Sequence, residues 1–176
     1  VYTTDHDLAL IEEGGATIAH CAEMTGKRGQ FPALDRIYES GIRMAYGTDW
    51  VTMDPWTNMR IAIIVARMSG CEVTNPNAHT ALRRSTIVPA EALGLGDRIG
   101  SLEKGKQADI ILMDMQRANL APVFDHPVAT LVYNANRHDV DAVWVAGRAL
   151  VREKRLLGMD EAQVLRDGQR IAELIY

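Results

Sequence analysis

Apolar positions along the first ninety residues recur in short blocks whose spacing alternates between the helical and the extended period, with glycine, proline and capping residues at the switch points. Thr4 is placed to cap a helix whose apolar positions Leu8, Leu10 and Ile11 end at Gly14 and Gly15, where a missing Cβ suits a left-handed C-terminal turn. Residues 16–21 read as a strand. Pro32 fits the first turn of a second helix, with Leu34, Ile37 and Tyr38 on one face and Gly41 behind them, and residues 42–46 form the next strand. Asp54 caps a third helix beginning at Pro55, in which Met59, Ile63 and Ala66 or Arg67 keep the helical period until Gly70. Strands separated by helices in this order predict parallel pairing, because a parallel connection must cross back over its sheet.

A helical stretch over residues 78–87 and a short segment at 89–93 follow, and near Gly94 the pattern changes. Residues 109–114 and 140–146 are β-rich, and the Gly147-Arg148 step turns into a further strand through Ala149, Leu150 and Val151. Residues 115–127 read as a loop carrying Pro122 and Pro127. Asp160 caps a closing helix with Ala162, Val164, Leu165, Ile171 and Leu174, interrupted by Gly168 at a cost of about 1 kcal/mol relative to alanine. The expected division is therefore 1–95, 96–159 and 160–176. No internal repeat or low-complexity tract is present.

Composition narrows the function classes. With 176 residues and 47% apolar content the chain is long enough for one good core or two small ones. Nineteen basic against 23 acidic residues give a net charge of −4, with no basic stripe, so no nucleic-acid partner is expected. Apolar stretches such as 61–66 and 108–113 are far short of the roughly 20 residues that span a bilayer, so no membrane partner is expected either. The first residues show no charged start followed by an apolar signal core. Cys21 and Cys71 form no CxxC pair and are expected to stay reduced in a cytoplasmic setting.

The best candidate for chemistry is Asp49. Gly47-Thr48-Asp49 follows the second strand directly, which puts a carboxylate just past the strand's C-terminal end. In a parallel α/β barrel those ends converge on the active site. The local alternative is a turn residue whose side chain caps backbone amides, as aspartate commonly does. One carboxylate by itself does not hold a catalytic metal, which usually takes three protein ligands plus water.

The run Ala92-Leu93-Gly94-Leu95-Gly96-Asp97-Arg98-Ile99-Gly100-Ser101-Leu102-Glu103-Lys104-Gly105-Lys106-Gln107-Ala108-Asp109-Ile110 resembles the segment that closes the barrel of amidohydrolase-superfamily enzymes. It is most similar to the branch of cytosine, guanine and adenosine-derivative deaminases and triazine hydrolases. The likeness continues through Leu131-Val132-Tyr133, Asp139-Val140, Val143-Trp144-Val145-Ala146-Gly147-Arg148 and Arg155-Leu156-Leu157, and reaches back to Ala19-His20-Cys21 and Gly47-Thr48-Asp49. The fold this implies is α/β: the last strands and helices of a (β/α)8 TIM-type barrel, incomplete in this chain, plus the C-terminal strands of a small β-sandwich.

The function the resemblance implies is metal-dependent hydrolysis of C–N bonds, with metal-activated water deaminating a small nitrogen heterocycle. Dechlorination or amide hydrolysis is the alternative within the superfamily, and a noncatalytic binding or assembly module is the alternative outside it. Asp49 matches the family's aspartate after strand eight, which ligates one divalent metal, zinc or else iron, and handles protons. The family's His-x-His pair and its other histidine ligands lie on earlier strands, so an N-terminal portion or another chain is expected to supply them. A homo-oligomer is also expected.

The same resemblance sorts the other candidates. His20 ends the strand where family members frequently carry His-Cys-Pro, and either contacts substrate or is a core histidine donating to a backbone carbonyl. Cys21 is expected to point away and pack as a small apolar group. Glu23 and Lys27, in a segment that departs from the family's usual loop, are candidate substrate contacts. Trp50 stands where glycine is frequent, and either stacks on a flat heterocycle or fills the barrel mouth. His6, His79, His126 and His138 lack ligand spacing and are expected to be surface or structural residues.

Overall fold

The structure, a computed structural model, describes residues 3–50, 53–123 and 125–175. Helix α1 (Asp5–Glu13) begins at Thr4, whose hydroxyl accepts from the Asp7 amide while the Asp7 carboxylate accepts from the Thr4 amide. Two donors that a helix start leaves open are thereby satisfied reciprocally. Gly15, just past its end, takes a φ of 61°. Strand β1 (Thr17–His20) follows, then helices α2 (Ala22–Lys27) and α3 (Leu34–Glu39), strand β2 (Arg43–Tyr46) and helix α4 (Pro55–Met68). The two strands pair in parallel, Thr17 opposite Arg43 and His20 opposite Tyr46.

Helix α2 departs from the sequence expectation. It is only six residues long, has no side-chain cap at Cys21 and contains Gly26, so no local signal announces it. Tertiary burial of Ala22, Glu23 and Thr25 compensates, with α4 packed against it. Helix α4 starts as expected: the Asp54 carboxylate accepts from the Trp56 and Thr57 amides. It buries Trp56, Met59, Ala62, Ile63, Val65 and Ala66.

Alternation along the strands assigns the two faces of the pair. Ile18, Met44 and Tyr46 join a core with Leu34, Ile37, Tyr38 and the apolar side of α4, so their face is covered by helices. Ala19 and Arg43, on the other face, are exposed. Among the described residues β1 pairs with β2 alone, so the pair does not close on itself as a barrel does.

His20 lies on the covered face. It is 4% exposed, its ring meets that of Tyr46 edge-on at 6.1 Å, and its Nε2 is buried without a hydrogen-bond partner. Burial, with Arg84 nearby, pushes its pKa down to about 4. The Tyr46 hydroxyl is 2.7 Å from that of Tyr38, and the Arg84 guanidinium sits 4.3 Å from the Tyr38 ring centroid. Burial raises the pKa of both phenols, most strongly for Tyr38.

The predicted helical stretch at 78–87 divides into α5 (Ala78–Ser85) and α6 (Ile87–Ala92) at Thr86, whose ψ of −86° leaves the helical basin. Beyond α6 the chain folds back over that helix at Gly100, which has a φ of 91°. A Cβ there would lie 2.7 Å from Ala90 Cβ and 2.9 Å from Ile87 Cα. The Ser101-to-Lys106 stretch is a turn held by its own side chains: Ser101 donates to Glu103, which pairs with Lys106 at 3.1 Å.

Strands β3 (Ile110–Met113), β4 (Val140–Val145), β5 (Arg148–Arg152) and β6 (Arg155–Leu156) form an antiparallel sheet in that order. Ala146-Gly147 and Glu153-Lys154 make the two tight hairpin turns with positive φ at both central residues, the geometry whose twist matches that of the strands. Asp109 supports the first turn by accepting from the Ala146 amide at 2.6 Å.

Helix α7 (Pro127–Asn134) starts at the last residue of the expected loop. Its run Val-Ala-Thr-Leu-Val-Tyr is short, apolar and rich in β-branched residues, which leaves helix and strand undecided from sequence. Arg60 of α4 donates to the carbonyls of Ala135, at 2.6 Å, and Val132 at this helix's C-terminal end. Asp160 caps α8 (Glu161–Ile175), accepting from Gln163 N at 3.0 Å, and no described residue of α8 is buried. No described helix is long and apolar enough to cross a membrane.

Two outcomes test this packing. Gly100→Ala forces a side chain into a backbone contact at a positive φ and is expected to destabilise the chain by about 2–3 kcal/mol, read as a lower urea midpoint. For His20 the folded pKa lies below the unfolded one, so the unfolded state binds the extra proton and stability is lost as pH falls from 6.5 to about 4. Relative to His20→Gln, the wild type should lose about 3 kcal/mol over that window. A pH-independent difference between the two unfolding curves contradicts the burial of a neutral imidazole.

Candidate active site at the strand ends

Asp49 stands three residues beyond β2 with a φ of 55°, a left-handed conformation that aspartate tolerates better than most side chains. Its Oδ1 accepts from the Trp50 amide at 2.7 Å, the local capping bond that aspartate makes in turns. The residue is nonetheless exposed, so the carboxylate is presented at the end of the sheet. Trp50 beside it is 75% exposed.

Cys21 does not point away from this turn. The residue that follows β1 leans against it: a Cβ on Gly47 would lie 3.3 Å from its Sγ, and the Asp49 backbone is near enough to act on the thiol. Burial raises the thiol's pKa, so the sulfur is a packing group here. The Gly47 amide donates to the His20 carbonyl at 3.0 Å and extends the pairing past the strands.

Glu23 is buried, pairs with Lys27 at 2.7 Å through Oε1, and leaves Oε2 buried without a partner. Lys27 keeps its side chain 58% exposed. The structure thus gathers Asp49, Trp50, Cys21 and Glu23 at one end of the parallel pair, with Lys27 held through Glu23. His20 reaches the same end but on the helix-covered face. His6 lies in α1, His79 in α5, His126 just before α7, and His138 in a single 3-10 turn over Arg137–Asp139. Hollows lined by Arg137, His138, Val140, Val151 and Lys154, and by Glu12, Gly15, Ala16, Gly41, Ile42 and Arg43, include neither Asp49 nor Trp50.

Sequence reasoning missed Asn58. Its side chain accepts from the Glu23 amide at 3.3 Å and donates to the Gly47 carbonyl at 3.0 Å, and the residue is 2% exposed. The available signal was position: Asn58 precedes Ala62 and Val65 by four and seven residues, so a polar side chain sits on the apolar stripe of α4.

A metal fits this chain only in part. An exposed carboxylate is a suitable oxygen ligand, yet among the described residues no three His, Cys, Asp or Glu side chains come together as a metal ion would require.

Comparison with known proteins agrees with that geometry. The amidohydrolase family profile matches residues 1–150. The 5-methylthioadenosine/S-adenosylhomocysteine deaminase of Teredinibacter turnerae is 34% identical over 168 residues, 92% of this chain and 38% of that protein. The structure of an adenosine deaminase from Xanthomonas campestris with bound zinc matches with a TM-score of 0.90 at 32% identity, over 99% of this chain and 40% of that one. A variant of atrazine chlorohydrolase from Arthrobacter aurescens, complexed with zinc and atraton, shares the fold with a TM-score of 0.79 at 24% identity, over 97% of this chain and 39% of that one. The chain therefore spans about 40% of the length of the relatives it matches. With the family profile matching residues 1–150 of its 176, the chain belongs to the amidohydrolase family.

Proposed function

We propose that this chain is the C-terminal part of a metal-dependent aminohydrolase that deaminates an adenosine-type heterocycle. The observation that carries the reading is Asp49, a carboxylate held exposed in a left-handed turn at the C-terminal end of a parallel strand. The named activities of the Teredinibacter and Xanthomonas relatives, both deaminases of adenosine derivatives, support the substrate class. On this reading β1 and β2 are the last two strands of a (β/α)8 barrel, and β3 to β6 are part of a small sandwich.

Asp49 supplies one ligand to a single divalent ion, zinc in this reading, and residues outside these 176 supply the rest. When bound, such an ion would contribute Lewis acidity that brings the pKa of water toward about 7. Asp49 accepts the proton of the attacking water and returns it to the departing amine nitrogen, so ammonia leaves and the ring keeps the oxygen. Trp50, exposed next to Asp49, offers an aromatic face to the substrate ring. Lys27 neutralises the buried Glu23 while its side chain stays 58% exposed, which leaves it within reach of polar substrate groups on this reading. His20 acts from behind, as a neutral packing residue under the strand end.

The test uses the full-length polypeptide that carries these residues. It is expected to bind about one equivalent of zinc and to release ammonia from adenosine, 5-methylthioadenosine or S-adenosylhomocysteine. Asp49→Asn should lower kcat by about 10²–10⁴-fold, the range for removing a positioned acid–base group. A metal-free, inactive polypeptide, or an Asp49→Asn variant that keeps wild-type turnover, would sink the reading and favour a noncatalytic module.

A further inference from the structure

We propose that Asn58 is a positioning residue that fixes the Asp49 turn against the turn after β1; the consequence for turnover rests on the reading of Asp49 given above. Its one amide bridges the backbones of the two turns, accepting from the Glu23 N–H at 3.3 Å and donating to the Gly47 C=O at 3.0 Å. Both bonds are directional, and both partners are main-chain groups two residues from the side chains of interest, Cys21 and Asp49. At 2% exposure the amide is shielded from water, so a lost partner is not readily replaced by solvent.

An apolar side chain of similar volume would fill this stripe of α4 equally well but could make neither bond. The remaining ties between the turns, among the described residues, are less specific. They are the Gly47 amide to the His20 carbonyl at 3.0 Å, which extends the strand pairing, and the packing of the Cys21 sulfur against Gly47. Asn58 alone couples the rigid, fourteen-residue α4 to both turns through a side chain, as far as the described hydrogen bonds show. With Asp49 at a positive φ, the turn is held in a sparsely populated conformation, and such conformations persist where surrounding contacts over-determine them.

Cys21 reports on the arrangement independently of any activity, because its sulfur is packed against the Gly47–Asp49 backbone. In the full-length polypeptide, labelling of Cys21 by a thiol reagent is followed by peptide mass spectrometry. Asn58→Ala is compared with Ile63→Ala, a core variant on the same helix, under denaturant conditions that equalise global stability. Asn58→Ala should raise the Cys21 labelling rate about tenfold over that control, in line with the loss of one to two buried hydrogen bonds. At equal metal content it should lower kcat about 10–100-fold with KM changed less than about twofold, as expected when a reacting group is misplaced. Asn58→Asp keeps the volume and the bond from the Glu23 amide but loses the donor to Gly47, and should match the alanine variant in both readouts.

Labelling equal to the stability-matched control overturns the proposal. So does a kcat that falls only in proportion to folded or metal-loaded protein. A wild type without turnover removes the reading of Asp49 instead, and the labelling comparison still decides whether Asn58 holds the two turns.

Discussion

Parallel pairing of two four-residue strands governs how this chain presents its chemistry. With His20 opposite Tyr46, both strands end at the same level, and the segments that follow leave the sheet side by side. The pairing is stable in this register because slipping it by one residue would turn Ile18, Met44 and Tyr46 away from α3 and α4. Burial on one face thus sets where the backbone emerges on the other. Asp49, Trp50 and Cys21 are displayed together as a result, although 28 residues separate Cys21 from Asp49 in the sequence.

The helix-covered side carries unusual polar content for a core. His20 Nε2 and Arg84 Nη1 are buried without partners, while the Tyr38 and Tyr46 hydroxyls satisfy each other. A neutral imidazole tolerates that setting far better than a charged one, which is why desolvation dominates the behaviour of His20. Arg84 meets part of its need through the face of Tyr38. The strand ends therefore rest on a polar layer, and Asn58 is its best-satisfied member.

The run that most strongly marks the family, from Ala92 to Ile110, turns out to be architectural. Gly100 admits the chain against α6, Ser101, Glu103 and Lys106 lock a turn, and Asp109 holds a hairpin. The one residue with a chemical assignment sits in a tripeptide, Gly47-Thr48-Asp49, that carries little information by itself. The run that marks the family and the candidate for chemistry thus lie in different parts of the chain.

Sequence alone determined the elements whose causes are local. Thr4 and Asp54 cap helices through their own turns, Gly15 adopts left-handed backbone, and apolar spacing identified α1, α3 and α4. It also placed Asp49 beyond a strand end. Helix α2 was illegible because its stability comes from burial against α4, and α7 because a short apolar run rich in β-branched residues fits either structure. Tertiary structure alone decided the facing of side chains: it turned Cys21 towards the Asp49 turn, put His20 into the core, and brought Asn58 to two backbones at once. The physical reason is common to all three. Which face of a strand or helix is covered depends on partners distant in sequence, and a residue's chemistry follows from which side of that cover it occupies.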